Sequence, residues 1–222
     1  MKKISSEELR HKYILENGLD SISDIDILSI SELHEFEKNE YLISCDYPSD
    51  YLYFLVKGEV IITHDSFDKT ICVSYQKPLS WLGEASSLWR QQPTCNVQAI
   101  RQCLCIAINL SQYRDTLLND RIFLLNSCQI LSYRLNNSTY FSSDLLEPLE
   151  MRLAKFILKN SNQGVFPVQL TTCAMILNTS YRHLLRIIKE FCEKGLLRKE
   201  KATYLITNYN GLKSYNSYNQ IK

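Results

Sequence analysis

The sequence predicts an α+β chain. A β-roll comes first, then a long helix, then a helix-turn-helix followed by a two-stranded wing. Three observations carry this expectation. Short aromatic and β-branched runs recur at even spacing between about Phe36 and Asn109, broken by Gly, Pro and Asp. The hydrophobic period then switches from two to about 3.6. Finally, charge divides along the chain. Residues 1–147 hold 13 Lys and Arg against 20 Asp and Glu, and residues 148–222 hold 12 against 4.

The chain has 222 residues, 45% hydrophobic and 22% charged, with a net charge of +1. That composition excludes a disordered or collagen-like polymer. It contains no run of 18 or more apolar residues, so no membrane partner is expected. Met1–Tyr13 has two lysines but no apolar segment behind them, unlike a secretory signal, so a cytoplasmic protein is expected. A chain this long buries a core without disulfides, so its eight cysteines read as thiols.

Ser5 to Glu16 reads as a short helix, with Ser5 or Ser6 as cap and Glu7 and Glu8 in the first turn. In the roll, Tyr51–Gly58 and Glu59–Thr63 are strand-like runs meeting at a glycine. Asp65–Lys69 is a turn-rich tip before Thr70–Tyr75, and Cys95–Ile100 and Cys103–Ile108 follow. Ser111–Leu118 reads as a short helix and Asp120–Asn137 as a longer one. Leu124, Cys128, Leu131 and Leu135 form an apolar stripe on the latter. That stripe packs either on its own roll or against the same helix of a second chain. The polar runs Asn136–Thr139 and Ser142–Asp144 read as a hinge before Pro148. The domains expected are a sensor at 1–118, a dimerisation helix and hinge at 119–143, and a helix-turn-helix domain at 144–222.

Leu170 to Phe191 carries the functional signal. Ala174 is small where two helices cross, and Asn178 occupies the turn, where Asn tolerates a left-handed backbone. Cys173, Leu177, Leu184 and Ile187 face inward. Ser180 caps the second helix, without the Glu or Gln three residues on that would complete a capping box. Arg182 and Arg186 are four residues apart and share a face. A recognition helix presents base-reading side chains from this region, and Arg bonds guanine O6 and N7 in bidentate fashion. Tyr181 and His183 reach base or phosphate, and Thr171 and Thr172 open the first helix where phosphate is favoured. Lys189, Arg198, Lys199 and Lys201 add phosphate-facing charge, and Gly195–Thr207 reads as a basic-tipped wing. The net charge of +8 over residues 148–222 suits a polyanion. The plainer reading is a packed helical hairpin with a solvated basic face.

These residues resemble the Crp/Fnr family of bacterial transcription regulators over about Glu37–Ile206. The marks are Tyr51–Val60 (YLYFLVKGEV), Leu82–Ala85 (LGEA) and Thr179–Arg186 (TSYRHLLR). Ser180–Leu185, Val97–Ile100, Cys103–Cys105 and Leu117–Asp120 are similar to its YeiL-like branch. The resemblance implies a cyclic-nucleotide-binding-like β-roll (a double-stranded jelly roll), a long dimerisation helix and a winged helix. It also implies a homodimer on palindromic double-stranded DNA, with RNA polymerase as a further partner. Gly83 and Glu84 match the family's phosphate cassette, whose ligand is cyclic AMP. Thr94, followed by Cys95, stands where the phosphate-binding arginine belongs, and a buried phosphate without its cation is costly. Tight cyclic AMP binding is therefore not expected. Iron–sulfur members carry an amino-terminal cysteine cluster, and no cysteine precedes Cys45, so that cluster is not expected either.

Cys103 and Cys105 alternate onto one strand face, and Cys128 on the next helix is placed to pack against it. The trio reads either as a redox or metal sensor or as small buried hydrophobes. No Cys-x-x-Cys, His-x-x-x-His or Ser/His/Asp arrangement is visible, so no metal site and no enzyme activity are assigned. The competing function is a ligand- or redox-sensing module whose helical domain contacts protein rather than DNA.

Overall fold

The computed structural model describes residues 1–67, 69–167 and 169–215, and at 139–144 the backbone alone. The chain divides into two compact units, Met1–Asn137 and Ser138–Lys222. Strand β1 (Lys2–Ile4), helix α1 (Glu7–Glu16) and the short α2 (Ile27–Ile30) open the first unit. The roll contains β2 (Ser31–Phe36), β3 (Tyr41–Ile43), β4 (Tyr51–Lys57), β5 (Val60–Ser66), β6 (Lys69–Gln76), β7 (Ser80–Leu82), β8 (Asn96–Ala99) and β9 (Cys103–Asn109). Two antiparallel sheets result, in the orders β1-β2-β9-β4-β7 and β3-β8-β5-β6. The roll thus begins at Ser31, earlier than the apolar pattern suggests, because Glu32, His34 and Glu35 dilute the strand signal of β2. Asp68, within the expected β5–β6 tip, lies outside the described residues.

Strand alternation separates two cores. Leu52, Phe54, Leu104, Ile106 and Ile108 face Ile14 of α1, together with helical residues farther along the chain. Tyr53, Leu55, Cys103, Cys105 and Ala107 face the inside of the roll. Two helices follow the roll, α3 (Leu110–Leu118) and α4 (Arg121–Leu145). Asp120 anchors the start of α4. Its Oδ1 accepts from the Phe123 N–H at 3.0 Å, and its Oδ2 accepts from the Asp24 N–H at 2.8 Å and from the Ser23 hydroxyl. Phe123 is fully buried and stacks on Trp81 at 5.4 Å.

The expected hinge at 136–144 is helical. Nothing there breaks a helix, and α4 continues to Leu145, with the turn deferred to Pro148. Only part of the stripe on α4 packs on its own roll. Leu124 packs against the outer core of the roll. Leu125 and Leu135 are 51% and 72% exposed, and Cys128 and Ser132 between them are exposed too.

The second unit contains α5 (Leu149–Asn160), β10 (Val165–Phe166), α6 (Leu170–Ile176), α7 (Tyr181–Glu193), β11 (Leu197–Glu200), β12 (Thr203–Ile206) and α8 (Tyr209–Ser214). Leu149, Leu153 and Ile157 of α5, Cys173 and Ala174 of α6, and Leu184, Ile187 and Phe191 of α7 form its core. The wing is a three-stranded sheet, β10-β12-β11, one strand more than the two-stranded wing expected. β10 is too short to announce itself.

Candidate functional site

Helices α6 and α7 pack closely across Ala174, and Asn178 turns the chain between them with a left-handed φ of 47°. The Thr179 N–H donates to the Ala174 carbonyl at 3.0 Å, and Arg152 Nη1 donates to the Leu177 carbonyl at 2.7 Å. Arg152 thus satisfies a carbonyl at the end of α6 that the helix leaves open. Ser180 caps α7, its Oγ accepting from the His183 N–H at 3.1 Å. Every third or fourth residue of α7 enters the core, which fixes the opposite face outward.

That outward face carries Tyr181, Arg182, His183, Arg186 and Lys189, all exposed. Ser180, Arg182, His183 and Arg186 line one open surface depression. Arg182 has no ion-pair partner among the described residues. Arg186 Nη1 donates to Glu190 at 3.2 Å, and its Nη2 lies 2.8 Å from His183 Nε2. Lys189 lies 3.7 Å from Glu193, too far for more than a loose pairing. Glu190 escaped the sequence reading, although its i,i+4 spacing from Arg186 was the available signal. It holds the guanidinium in place and competes with any anion or base for it. Thr171 is exposed and Thr172 half-buried in the first turn of α6. Lys199 is exposed on β11, and Lys201 turns the tip of the wing with φ 52°. Arg198 is paired with Glu200 at 2.8 Å.

The sensor candidates lie in the first unit. Gly83 has φ 96°, and a Cβ there would approach the Tyr51 carbonyl to 2.9 Å, so glycine is required. Glu84 is only 1% exposed and pairs with Arg134 of α4, which also donates to the Trp81 carbonyl. Burial holds the Glu84 carboxyl above its usual range, although the Arg134 guanidinium opposes that shift. Sequence reading missed Arg134, which stands 50 residues from its partner. Glu84 Oε2 and Ser87 Oγ are buried without hydrogen-bond partners among the described residues. From α3, Arg114 secures the same turn through the Ser87 and Leu88 carbonyls, at 3.1 and 3.2 Å.

Thr94 itself is uncharged, and His64 Nδ1 lies 2.9 Å from its carbonyl oxygen. Arg90 is exposed on a left-handed turn, and Arg101 pairs with Glu59 at 3.0 Å.

The structure does not assemble the cysteine trio. Cys103 and Cys105 point into the roll, whereas α4 lies over the opposite face of β9 and leaves Cys128 exposed. Burial pushes the Cys103 thiol up to about 11 and the Cys105 thiol well above its usual value. Both remain protonated, inert thiols at neutral pH. Among the described residues no group of three or more His, Cys, Asp or Glu side chains is placed to hold a metal ion. No helix is long and apolar enough to cross a membrane, within the same residues.

A cyclic nucleotide-binding domain model matches residues 33–120. The regulatory protein YeiL of Escherichia coli O157:H7 is 30% identical over 185 residues, covering 82% of this chain and 84% of that protein. Among solved structures, a CRP-family transcriptional regulator of Thermus thermophilus superposes with a TM-score of 0.70 at 14% identity. That match covers 83% of this chain and 96% of the other. A CooA mutant from Carboxydothermus hydrogenoformans gives 0.68 at 13% identity, covering 90% and 94%. These relatives are regulators and not enzymes, and the fold agrees throughout. The chain belongs to the Crp/Fnr family of transcription regulators.

Proposed function

We propose that this regulator is a homodimer that reads a palindromic DNA operator through α7, without needing cyclic AMP. The observation that carries the reading is the first two turns of α7. Arg182 and Arg186 project from a capped, core-anchored helix on a segment of net charge +8. Arg182 stands ready for a base edge or phosphate, and Arg186 exchanges Glu190 for guanine. Lys189, Lys199, Thr171 and Thr172 face the backbone, where charge and hydroxyls fix register rather than sequence.

The exposed Leu125, Cys128, Ser132 and Leu135 follow the three–four spacing of a coiled-coil seam, which a second copy would cover. Two copies so joined carry two recognition helices to major grooves about 34 Å apart. The roll, residues 1–118, is the sensor. Residues 119–143 pair the subunits, 144–222 bind DNA, and RNA polymerase is the partner through which transcription responds in the cytoplasm. The threonine at position 94, in place of the family's phosphate-binding arginine, supports independence from cyclic AMP.

The test compares Arg182→Ala and Arg186→Ala on the preferred duplex and on random duplex. Loss of a base contact lowers affinity for the preferred site by about 5- to 150-fold, equivalent to roughly 1–3 kcal/mol, and spares random DNA. Equal loss on both makes that arginine a phosphate contact. No binding by the parent in dilute salt contradicts the proposal.

A further inference from the structure

Two cysteines outside the buried set flank the sensor cassette. Strands β3 and β8 are antiparallel, with Ile43 opposite Val97, and both of these residues enter the inner core of the roll. Two residues beyond that pair, past the ends of both strands, the chain reaches Cys45 in a turn and Cys95 in a bend. Two hydrogen bonds keep the backbones together beyond the last paired residues. The Cys45 N–H donates to Asn96 Oδ1 at 2.9 Å, and Gln92 Nε2 donates to the Cys45 carbonyl at 2.7 Å. Cys45 is therefore gripped by residues on either side of Cys95. A disulfide spans about 4.4–6.8 Å between Cα atoms.

Access separates this pair from the four buried cysteines, and its place in the first unit separates it from the equally half-buried Cys192. Cys45 and Cys95 are half-buried, within reach of a small oxidant, whereas Cys72, Cys103, Cys105 and Cys173 are buried. Burial pushes the Cys72 and Cys173 thiols up to about 12. Cys128 is exposed on α4 and belongs to a different surface.

We propose that Cys45 and Cys95 form a reversible dithiol–disulfide clasp whose substrate is a hydroperoxide. One thiolate attacks the peroxide oxygen, the O–O bond breaks, and water or an alcohol leaves, giving a sulfenic acid. The second thiol attacks that sulfur and expels water. The two thiols give up two electrons and two protons, and the peroxide is reduced. A cellular dithiol reverses the reaction by exchange.

Cys95 closes the segment that begins at Gly83 and holds Glu84 against Arg134 of α4. The clasp would therefore fix the exit of the cassette whose entrance is tied to the long helix. This regulatory part rests on the sensor-and-DNA reading above; the chemistry of the clasp does not.

The full-length reduced protein is treated with equimolar hydrogen peroxide, alkylated, digested without reductant and mapped by mass spectrometry. The expected result is a Cys45–Cys95 linked peptide within a single chain, two fewer alkylatable thiols, and reversal by dithiothreitol. Cys45→Ser and Cys95→Ser each remove the link, and Cys128→Ser leaves it. The clasp is overturned if both cysteines are still alkylated after peroxide, or if Cys95 links elsewhere. The map of the parent protein decides this even where a variant fails to fold.

A second measurement compares duplex-DNA affinity of the reduced and oxidised forms, where a coupled switch changes affinity at least about fivefold. Equal, measurable affinity overturns the regulatory part alone. No DNA binding in either form overturns the regulator reading and leaves the linkage result standing.

Discussion

Arg134→Ala removes the cation that pairs with a carboxylate only 1% exposed. Breaking a buried pair by deleting one partner costs about 3–5 kcal/mol. Arg134 is itself 28% exposed, so some water reaches the site and the lower end, about 3 kcal/mol, is expected. For a chain of this length that lowers the melting temperature by about 6–12 °C. Both tryptophans, Trp81 and Trp89, lie in the first unit, so tryptophan fluorescence follows its unfolding selectively.

The pH dependence follows from Glu84. Its carboxyl is already raised in the folded protein, so the native state holds more protons than the unfolded state as pH passes the usual carboxylate range. Stability contributed at this site therefore rises as pH falls. Without Arg134 the carboxyl rises further. The damage is then greatest at alkaline pH and shrinks by up to about 1.4 kcal/mol per pH unit as pH falls through the raised carboxyl range. Adding Glu84→Leu to Arg134→Met recovers most of the loss, because an apolar pair leaves no buried charge. A loss under about 1 kcal/mol at pH 8, or one that does not shrink as pH is lowered toward the usual carboxylate range, refutes the reasoning.

Ser180→Ala deletes the cap of α7 and should cost about 1 kcal/mol in the second unit, read by thermal circular dichroism; no loss would mean the N–H of His183 is served equally well by water. Leu125→Glu places a charge in the exposed seam of α4 and should weaken self-association at least tenfold in sedimentation equilibrium, whereas an unchanged association constant moves the dimer contact elsewhere. Isothermal titration with cyclic AMP should give no saturable heat at micromolar ligand, and binding at micromolar or tighter affinity contradicts the inference from Thr94.

The second unit was legible because its signals are local. Ala174, Asn178 and Ser180 each do what their chemistry favours within a few residues of themselves, and the apolar spacing of α7 fixes which arginines face out. The first unit was less legible because its contacts are distant in sequence. Nothing near Glu84 announces Arg134. The hinge expectation failed because Asn136–Asp144 is polar but contains no Gly or Pro, and polarity alone does not end a helix. The cysteine trio failed for a different reason. Alternation correctly placed Cys103 and Cys105 together, but only the packing of α4 decides which side of β9 it covers. Glu190 was within local reach, and its pairing with Arg186 follows from ordinary helix spacing.

Selection from a pool of random 30-base-pair duplexes by the purified full-length chain tests the DNA reading most directly. Two α7 helices held by a paired α4 should enrich a two-fold symmetric sequence with half-site centres about 10 base pairs apart. Binding to it should weaken with added salt at about 0.9 log units per phosphate neutralised for each log unit of salt. A pool that stays random after repeated rounds, or that yields a lone half-site bound by a monomer, contradicts it.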